Sequence, residues 1–220
     1  MTGQAPEIRI DIVSDVVCPW CIVGYRRLKP AMDALADSVA FSLHWHPFEL
    51  NPGIPPEGQN LAEHIQQKYG STPEQSQANR QRLIDLGASL GFEFRYTAES
   101  RMVNTFKAHQ LLHWAGEQGR ETDLKLALFD VYFTEQRDVS DEAVLLDTVE
   151  RVGLDRDEAA AVLADQRFAE TVRTRENYWL SQGIQGVPAF IFNSRYLVSG
   201  AQDTAVFTDL FDKLLAEKAA

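Results

Sequence analysis

Only two cysteines occur in this 220-residue chain, and they stand three apart in Cys18-Pro19-Trp20-Cys21. They follow a β-branched run, Ile10-Asp11-Ile12-Val13, and open a segment with helical spacing. A Cys-x-x-Cys at a strand-to-helix junction puts the first sulfur at a helix N-terminus. Free backbone N–H groups and the helix dipole favour a thiolate there. The second sulfur lies one turn on, within reach of a disulfide. The chemistry implied is dithiol–disulfide exchange, in which one thiolate attacks and the other resolves. Inert packing as two small hydrophobes and half of a zinc site are the other readings of such a pair. Zinc needs more ligands. His44 and His46 share a strand face, but Phe41, Leu43 and Trp45 claim the opposite, core-facing side, so no metal site is expected.

A second run bears on the same chemistry. Gly186-Val187-Pro188-Ala189-Phe190 places a proline directly before an apolar strand, where it is awkward for pairing. A cis Val187–Pro188 bond turns the chain sharply and relieves this. Pro19 occupies the first helical position, where no N–H is needed, and it removes one donor from the surroundings of Cys18. Trp20 beside the sulfur is expected to be partly exposed, as an apolar wall for a substrate.

The elements that position these residues follow from hydrophobic period. Ile8, Ile10 and Ile12 alternate with Arg9 and Asp11 as a strand. Ile22, Tyr25, Leu28, Met32 and Leu35 mark a helix, with a kink or break expected at Pro30. Val39 to Trp45 reads as a second strand, so the chain opens with a βαβ unit. Residues 51–59 form a loop, and strand patterns then vanish for over a hundred residues. Thr72-Pro73-Glu74-Gln75 has capping-box form and starts a helix to about Leu90, stopped by Gly91. Met102, Val103, Phe106, Gln110, Leu111 and Trp114 mark another helix. Further helices are expected over 121–136, 140–152, 157–165 and 167–181. Ala189–Phe192 and Tyr196–Val198 flank an Asn193-Ser194-Arg195 turn as a hairpin, and Asp203 is placed to cap a last helix. The order is an α/β thioredoxin fold, βαβ…ββα, with a large all-helical insertion. Residues 1–59 and 182–220 form the thioredoxin-fold part and 60–181 the insertion.

Composition narrows the partners. A formal net charge of −11 disfavours nucleic acid and anionic membrane surfaces. No apolar run reaches the roughly 18 residues that span a bilayer. The first seven residues lack the basic and apolar regions of a secretory leader, so a cytoplasmic protein is expected. That compartment keeps thiols reduced, which argues against a structural staple.

With these residues in view, the chain resembles the DsbA-like thioredoxin superfamily, in its FrnE-type cytoplasmic branch. The resemblance rests on Ser14-Asp15-Val16-Val17-Cys18-Pro19-Trp20-Cys21, which stands where the branch has Phe-x-x-Val-Cys-Pro-Trp-Cys. It rests also on His46-Pro47-Phe48-Glu49-Leu50-Asn51-Pro52, on Asn104-Thr105-Phe106-Lys107-Ala108-His109 and on Gly186-Val187-Pro188. It implies a protein-disulfide oxidoreductase with Cys18 as nucleophile, Cys21 as resolving thiol and Pro188 as the cis-proline. It implies no tightly bound cofactor, with protein thiols or disulfides, or glutathione, as partners. Phe48, Asn104, Phe106 and His109 are candidates to face the substrate, the helical lobe leaning over the dithiol. His109 and Asn104 read otherwise as a helix-face histidine and a polar residue at a helix start. The related 2-hydroxychromene-2-carboxylate isomerases use glutathione and typically carry serine at the position of Cys18, where this chain departs from them. Two alternatives stay open: a glutathione-dependent isomerase or transferase acting on an aromatic molecule, and a non-catalytic redox-sensing or chaperone module.

Overall fold

The computed structural model describes residues 5–219. Strand β1 (Glu7–Ser14) is buried on both faces along most of its length, as a central strand must be. Ile8, Ile10 and Ile12 have no exposure at all, and each contributes roughly 1.5–3 kcal/mol by leaving water. β1 pairs in parallel with β2 (Ala40–Pro47), with Ile10 opposite Leu43 and Ser14 opposite Pro47. On its other edge it pairs antiparallel with β5 (Ala189–Phe192), which continues into β6 (Tyr196–Ser199). The order is therefore β2-β1-β5-β6. The β5–β6 turn places Asn193 and Ser194 at φ 49° and 55°, the two left-handed residues of a tight hairpin. Helix α1 (Pro19–Asp33) forms the crossover, and α9 (Thr204–Ala219) packs beside it.

The segment between β2 and β5 is mainly helical, as expected: α2 (Leu61–Tyr69), α3 (Pro73–Ser89), α4 (Phe106–Glu117), α5 (Glu121–Phe129), α6 (Glu142–Arg151), α7 (Arg156–Asp165) and α8 (Ala169–Ser181). The Thr72–Gln75 capping box is formed in both directions, and Asp155 caps α7 by accepting from the Glu158 N–H. The apolar core runs without interruption from Ile10 and Trp45 of the sheet to Leu111, Leu128 and Leu145 of the helices.

Several expectations are corrected. Strand structure does not vanish after β2. A two-residue ladder joins β3 (Gln59–Asn60) to β4 (Arg101–Met102), and a strand that short carries no readable period. Met102 and Val103 thus precede the helix they seemed to begin. α4 starts at Phe106, whose N–H the Asn104 side chain accepts at 2.9 Å. Pro30 does not break α1, which continues through it for three more residues to Asp33. The segment 121–136 changes pitch, α5 passing into a π-helical turn over Asp130–Thr134. Asp203, by contrast, stands at the N-cap position of α9 as expected, and it also forms an ion pair with Arg27.

Candidate active site

The first three residues after β1 lead the chain over the end of the sheet, and the Cys18 N–H closes that turn onto the Asp15 carbonyl at 3.3 Å. Cys18 is the N-cap of α1, with φ −91° and ψ 111°, and Pro19 follows at the first helical position. The Cys21 N–H returns to the Cys18 carbonyl at 3.1 Å, which sets the two side chains one above the other. Both residues are free thiols. Cys18 retains 3% exposure and Cys21 none.

The Val187–Pro188 bond is cis. It presents the Val187 carbonyl to the first sulfur, and the Cys18 thiol donates to it at 3.6 Å. The contact depends on how closely α1 approaches β5. A Cβ on Gly24 would lie 2.9 Å from the Phe190 ring and 3.1 Å from Pro188. Glycine therefore lets the helix seat against the proline loop.

A cleft of about 760 Å³ opens beside Cys18. The thioredoxin part contributes Trp20, Phe48 and Val187, and the helical segment contributes Leu61, Leu83, Tyr96 and Tyr132. Trp20 is 43% exposed, an open aromatic face next to the sulfur. Cys21 does not line the cleft. Asn104, Phe106 and His109 do not line it either. Phe106 is turned away under the Arg173 guanidinium, 3.8 Å from its ring centre. Asn104 donates to Glu49 at 3.3 Å, and Glu49 is also paired with Arg173. His109 is buried and sits 3.3 Å from the Asp15 carboxylate.

The sequence reading missed two buried charges beneath the dithiol. Asp15 is 1% exposed and accepts the Leu50 N–H at 2.8 Å, tying the loop after β2 to the loop before α1. Burial alone would raise its carboxyl. His109, the Leu50 N–H and the Lys125 charge outweigh burial and hold it below the usual aspartate range. Lys125 is 1% exposed and donates to the Ser14 carbonyl at 3.2 Å. The available signals were a lone acid in Ser14-Asp15-Val16-Val17 and a lone cation in Leu124-Lys125-Leu126-Ala127-Leu128-Phe129.

The helix start favours a Cys18 thiolate, and the surroundings of the two sulfurs work against it. Burial, the neighbouring Cys21 sulfur and the nearby Asp15 carboxylate push Cys18 well above an ordinary thiol, against the help of the Cys21 N–H. Burial would raise Cys21 too. The neighbouring Cys18 sulfur, the Ser14 hydroxyl and the Lys125 charge win, and Cys21 falls below an ordinary thiol. Access belongs to the outer sulfur, which lines the cleft.

A βαβ–ββα sheet with a two-cysteine helix start, facing a cis-proline, defines a thioredoxin-fold dithiol protein. The model of the DsbA-like thioredoxin domain matches residues 9–212, and the chain belongs to that family. A probable DsbA oxidoreductase from Streptomyces coelicolor is 36% identical, with a TM-score of 0.89 over 96% of this chain and 91% of that one. A 2-hydroxychromene-2-carboxylate isomerase shares the fold at 13% identity and TM-score 0.70, over 96% and 98% of the two chains. So does the cytosolic disulfide reductase DsbM of Pseudomonas aeruginosa, solved with GSH, at 15% identity and TM-score 0.59 over the same shares. No helix among the described residues is long and apolar enough to cross a membrane.

Proposed function

We propose that the chain is a thiol–disulfide oxidoreductase in which Cys18 attacks and Cys21 resolves. The observation that carries this reading is the unequal placement of the two sulfurs: Cys18 lines the cleft against the Val187 carbonyl, and Cys21 stands one turn behind it. In the reducing direction, the Cys18 proton passes to the Cys21 sulfur and the Cys18 thiolate attacks one sulfur of a substrate disulfide. A Cys18–substrate bond forms, the substrate S–S bond breaks, and the leaving thiolate takes a proton from solvent. Cys21 then gives up its proton and attacks the Cys18 sulfur, closing the Cys18–Cys21 disulfide and releasing the second substrate thiol. Oxidation of a dithiol is the same sequence reversed. An extended substrate backbone running past Val187 has that carbonyl as a strand partner.

The helical segment 60–181 acts in this reading as a separate substrate-selecting unit, since its residues build most of the cleft beside Cys18. Protein thiols and disulfides, or glutathione, are the partners proposed, with no tightly bound cofactor. The cytoplasm is the proposed setting, by analogy with the cytosolic reductase that shares the fold. An isomerase working through one nucleophile has no use for Cys21, which weighs against that activity. The test is Cys21→Ser. With the resolving sulfur gone, the variant should accumulate a mixed disulfide through Cys18, released by reductant and mapped by mass spectrometry. Adducts with proteins support the oxidoreductase, and glutathione as the sole adduct moves the reading to small-molecule chemistry. No adduct, together with no dithiol turnover by the native protein, overturns it.

A further inference from the structure

Helix α3 presents a polar stripe to the cleft that holds Cys18. Ser76, Arg80 and Leu83 stand at i, i+4 and i+7, one face of the helix, and all three line that cleft. Leu83 suits apolar walls, and the other two do not. Ser76 is 4% exposed. Among the described residues neither its hydroxyl nor the Arg80 guanidinium has a hydrogen bond within the protein. Tyr96 joins the stripe. It lines the cleft with Arg80 and also shares with it a second hollow of about 450 Å³, so the two side chains are neighbours. Its ring is stacked on Phe94 at 5.9 Å, and its hydroxyl also has no partner among the described residues.

The Arg80 charge is what needs a use. The side chain is half-buried. Positions 76, 77, 83 and 84, where an ion-pair partner would stand on the same helix, are Ser, Gln, Leu and Ile. No carboxylate from another element lies within ion-pair distance of it among the described residues. The other ionisable groups of the cleft are engaged. Glu49 is held by Arg173 and Asn104. Lys68 donates to the Leu50 carbonyl at 2.9 Å and to Asn51 Oδ1 at 2.6 Å. Both ring nitrogens of His64 are bonded, to Gln59 and Asn51. In a chain of net charge −11 the cleft thus keeps one unpaired charged side chain, and it is a cation. A guanidinium drawn partly out of water without a partner is costly. A planar carboxylate is the group its fork meets with two parallel hydrogen bonds.

We propose that Arg80, with the Ser76 and Tyr96 hydroxyls, forms a carboxylate-binding subsite that selects anionic disulfides for exchange at Cys18. The proposal rests on the oxidoreductase reading and names the substrate class that reading leaves open. The guanidinium supplies the charge and two parallel donors, and the hydroxyls supply two more. Burial holds the Tyr96 hydroxyl well above an ordinary tyrosine, so it remains a donor at neutral pH. Trp20 and Phe48, on the same cleft, take the carbon body between the carboxylate and the S–S bond. The carboxylate is bound before Cys18 attacks and stays bound after it, so the subsite acts on the binding constant and leaves the limiting rate unchanged. A free low-mass acid and an acidic residue beside a cysteine in a protein both carry this group.

The test follows oxidation of the reduced full chain by dithiodipropionate and by its neutral diamide, each rate divided by that compound's rate with dithiothreitol. The native protein should favour the dicarboxylate about tenfold or more, the contribution of one charge-assisted hydrogen bond. Arg80→Met should remove the preference through the apparent binding constant, with the limiting rate and the diamide rate within about threefold of native. Arg80→Gln decides the matter if Arg80→Met does not fold. Suberate, the same chain with two methylenes in place of S–S, should slow alkylation of Cys18 by iodoacetamide in the native protein and not in the variant. Peptide disulfides with Glu or Gln beside the cysteine separate the two sources. An Arg80-dependent advantage for the Glu peptide assigns the carboxylate to proteins, an advantage confined to dithiodipropionate assigns it to low-mass acids, and either supports the subsite. No native preference for the dicarboxylate, or a preference that survives in a folded Arg80 variant, overturns the subsite and leaves the oxidoreductase reading intact. Oxidation by neither compound overturns that reading, and suberate then decides the subsite alone. Protection lost in the variant supports it, and protection that is absent or unchanged overturns it.

Discussion

Replacing Gly24 by alanine should test whether the seat of α1 on the cis-proline loop controls the reacting sulfur. The added methyl would sit 2.9 Å from Phe190 Cζ and 3.1 Å from Pro188 Cγ, where ordinary contact begins at 3.4 Å. Helix and loop must therefore part by about half an ångström. Overpacking of this kind costs about 1–3 kcal/mol. Alanine returns about 1 kcal/mol in a helix interior, so the net loss should be about 0–2 kcal/mol. The kinetic effect should be larger than the stability effect. Val187 precedes the displaced proline, and its carbonyl meets Cys18 at 3.6 Å. A misplacement near half an ångström should slow disulfide exchange about tenfold, since a full ångström costs about a hundredfold. Urea unfolding gives the first quantity, and single-turnover release of a chromogenic thiol gives the second. A Gly24→Ala protein about 1 kcal/mol more stable than the native one, exchanging at the native rate, would show that only helix propensity had changed. The packing argument would then be refuted.

Two further outcomes follow from the same geometry. The Asp15 carboxyl is depressed in the folded protein by His109, the Leu50 N–H and Lys125 acting against burial. Its contribution to stability is complete above the unfolded value of about 3.9 and is lost as pH falls through the lower folded value. Thermal unfolding followed from pH 7 to pH 2 should show an acid loss that is shallower in Asp15→Asn, and parallel curves would disprove the assignment. Trp20→Ala removes a 43% exposed wall of the cleft. It should change unfolding free energy by less than about 1 kcal/mol and slow exchange with an aromatic disulfide roughly tenfold, from about 1.5 kcal/mol of lost apolar contact. Equal slowing with a small hydrophilic disulfide would remove Trp20 from substrate binding.

Much of this molecule was legible in the chain. The alternation of Ile8, Ile10 and Ile12, the helical spacing from Ile22 to Met32 and the Asn193-Ser194 turn are local signals, and each appears as an element in its place. The Thr72–Gln75 box is local as well, its partners three residues apart. The Cys-x-x-Cys at a helix start and a proline opening β5 identified the reacting end of the sheet, because both are statements about neighbouring backbone. What the sequence could not order were contacts between distant residues. Lys125 meets Ser14 across 111 positions and His109 meets Asp15 across 94, and neither pairing leaves a period or a spacing to read. Burial and the Asp15 carboxylate act against the helix-terminus effect at Cys18. Phe106 shows the same limit. Its place on a helix followed from the pattern, but the side of the helix facing the cleft was set by Arg173, far along the chain. The sequence alone determined the fold and the pair of sulfurs. Tertiary packing decided what lies beneath the sulfurs and which side chains line the cleft, because electrostatics and access depend on distances in space that sequence spacing does not encode.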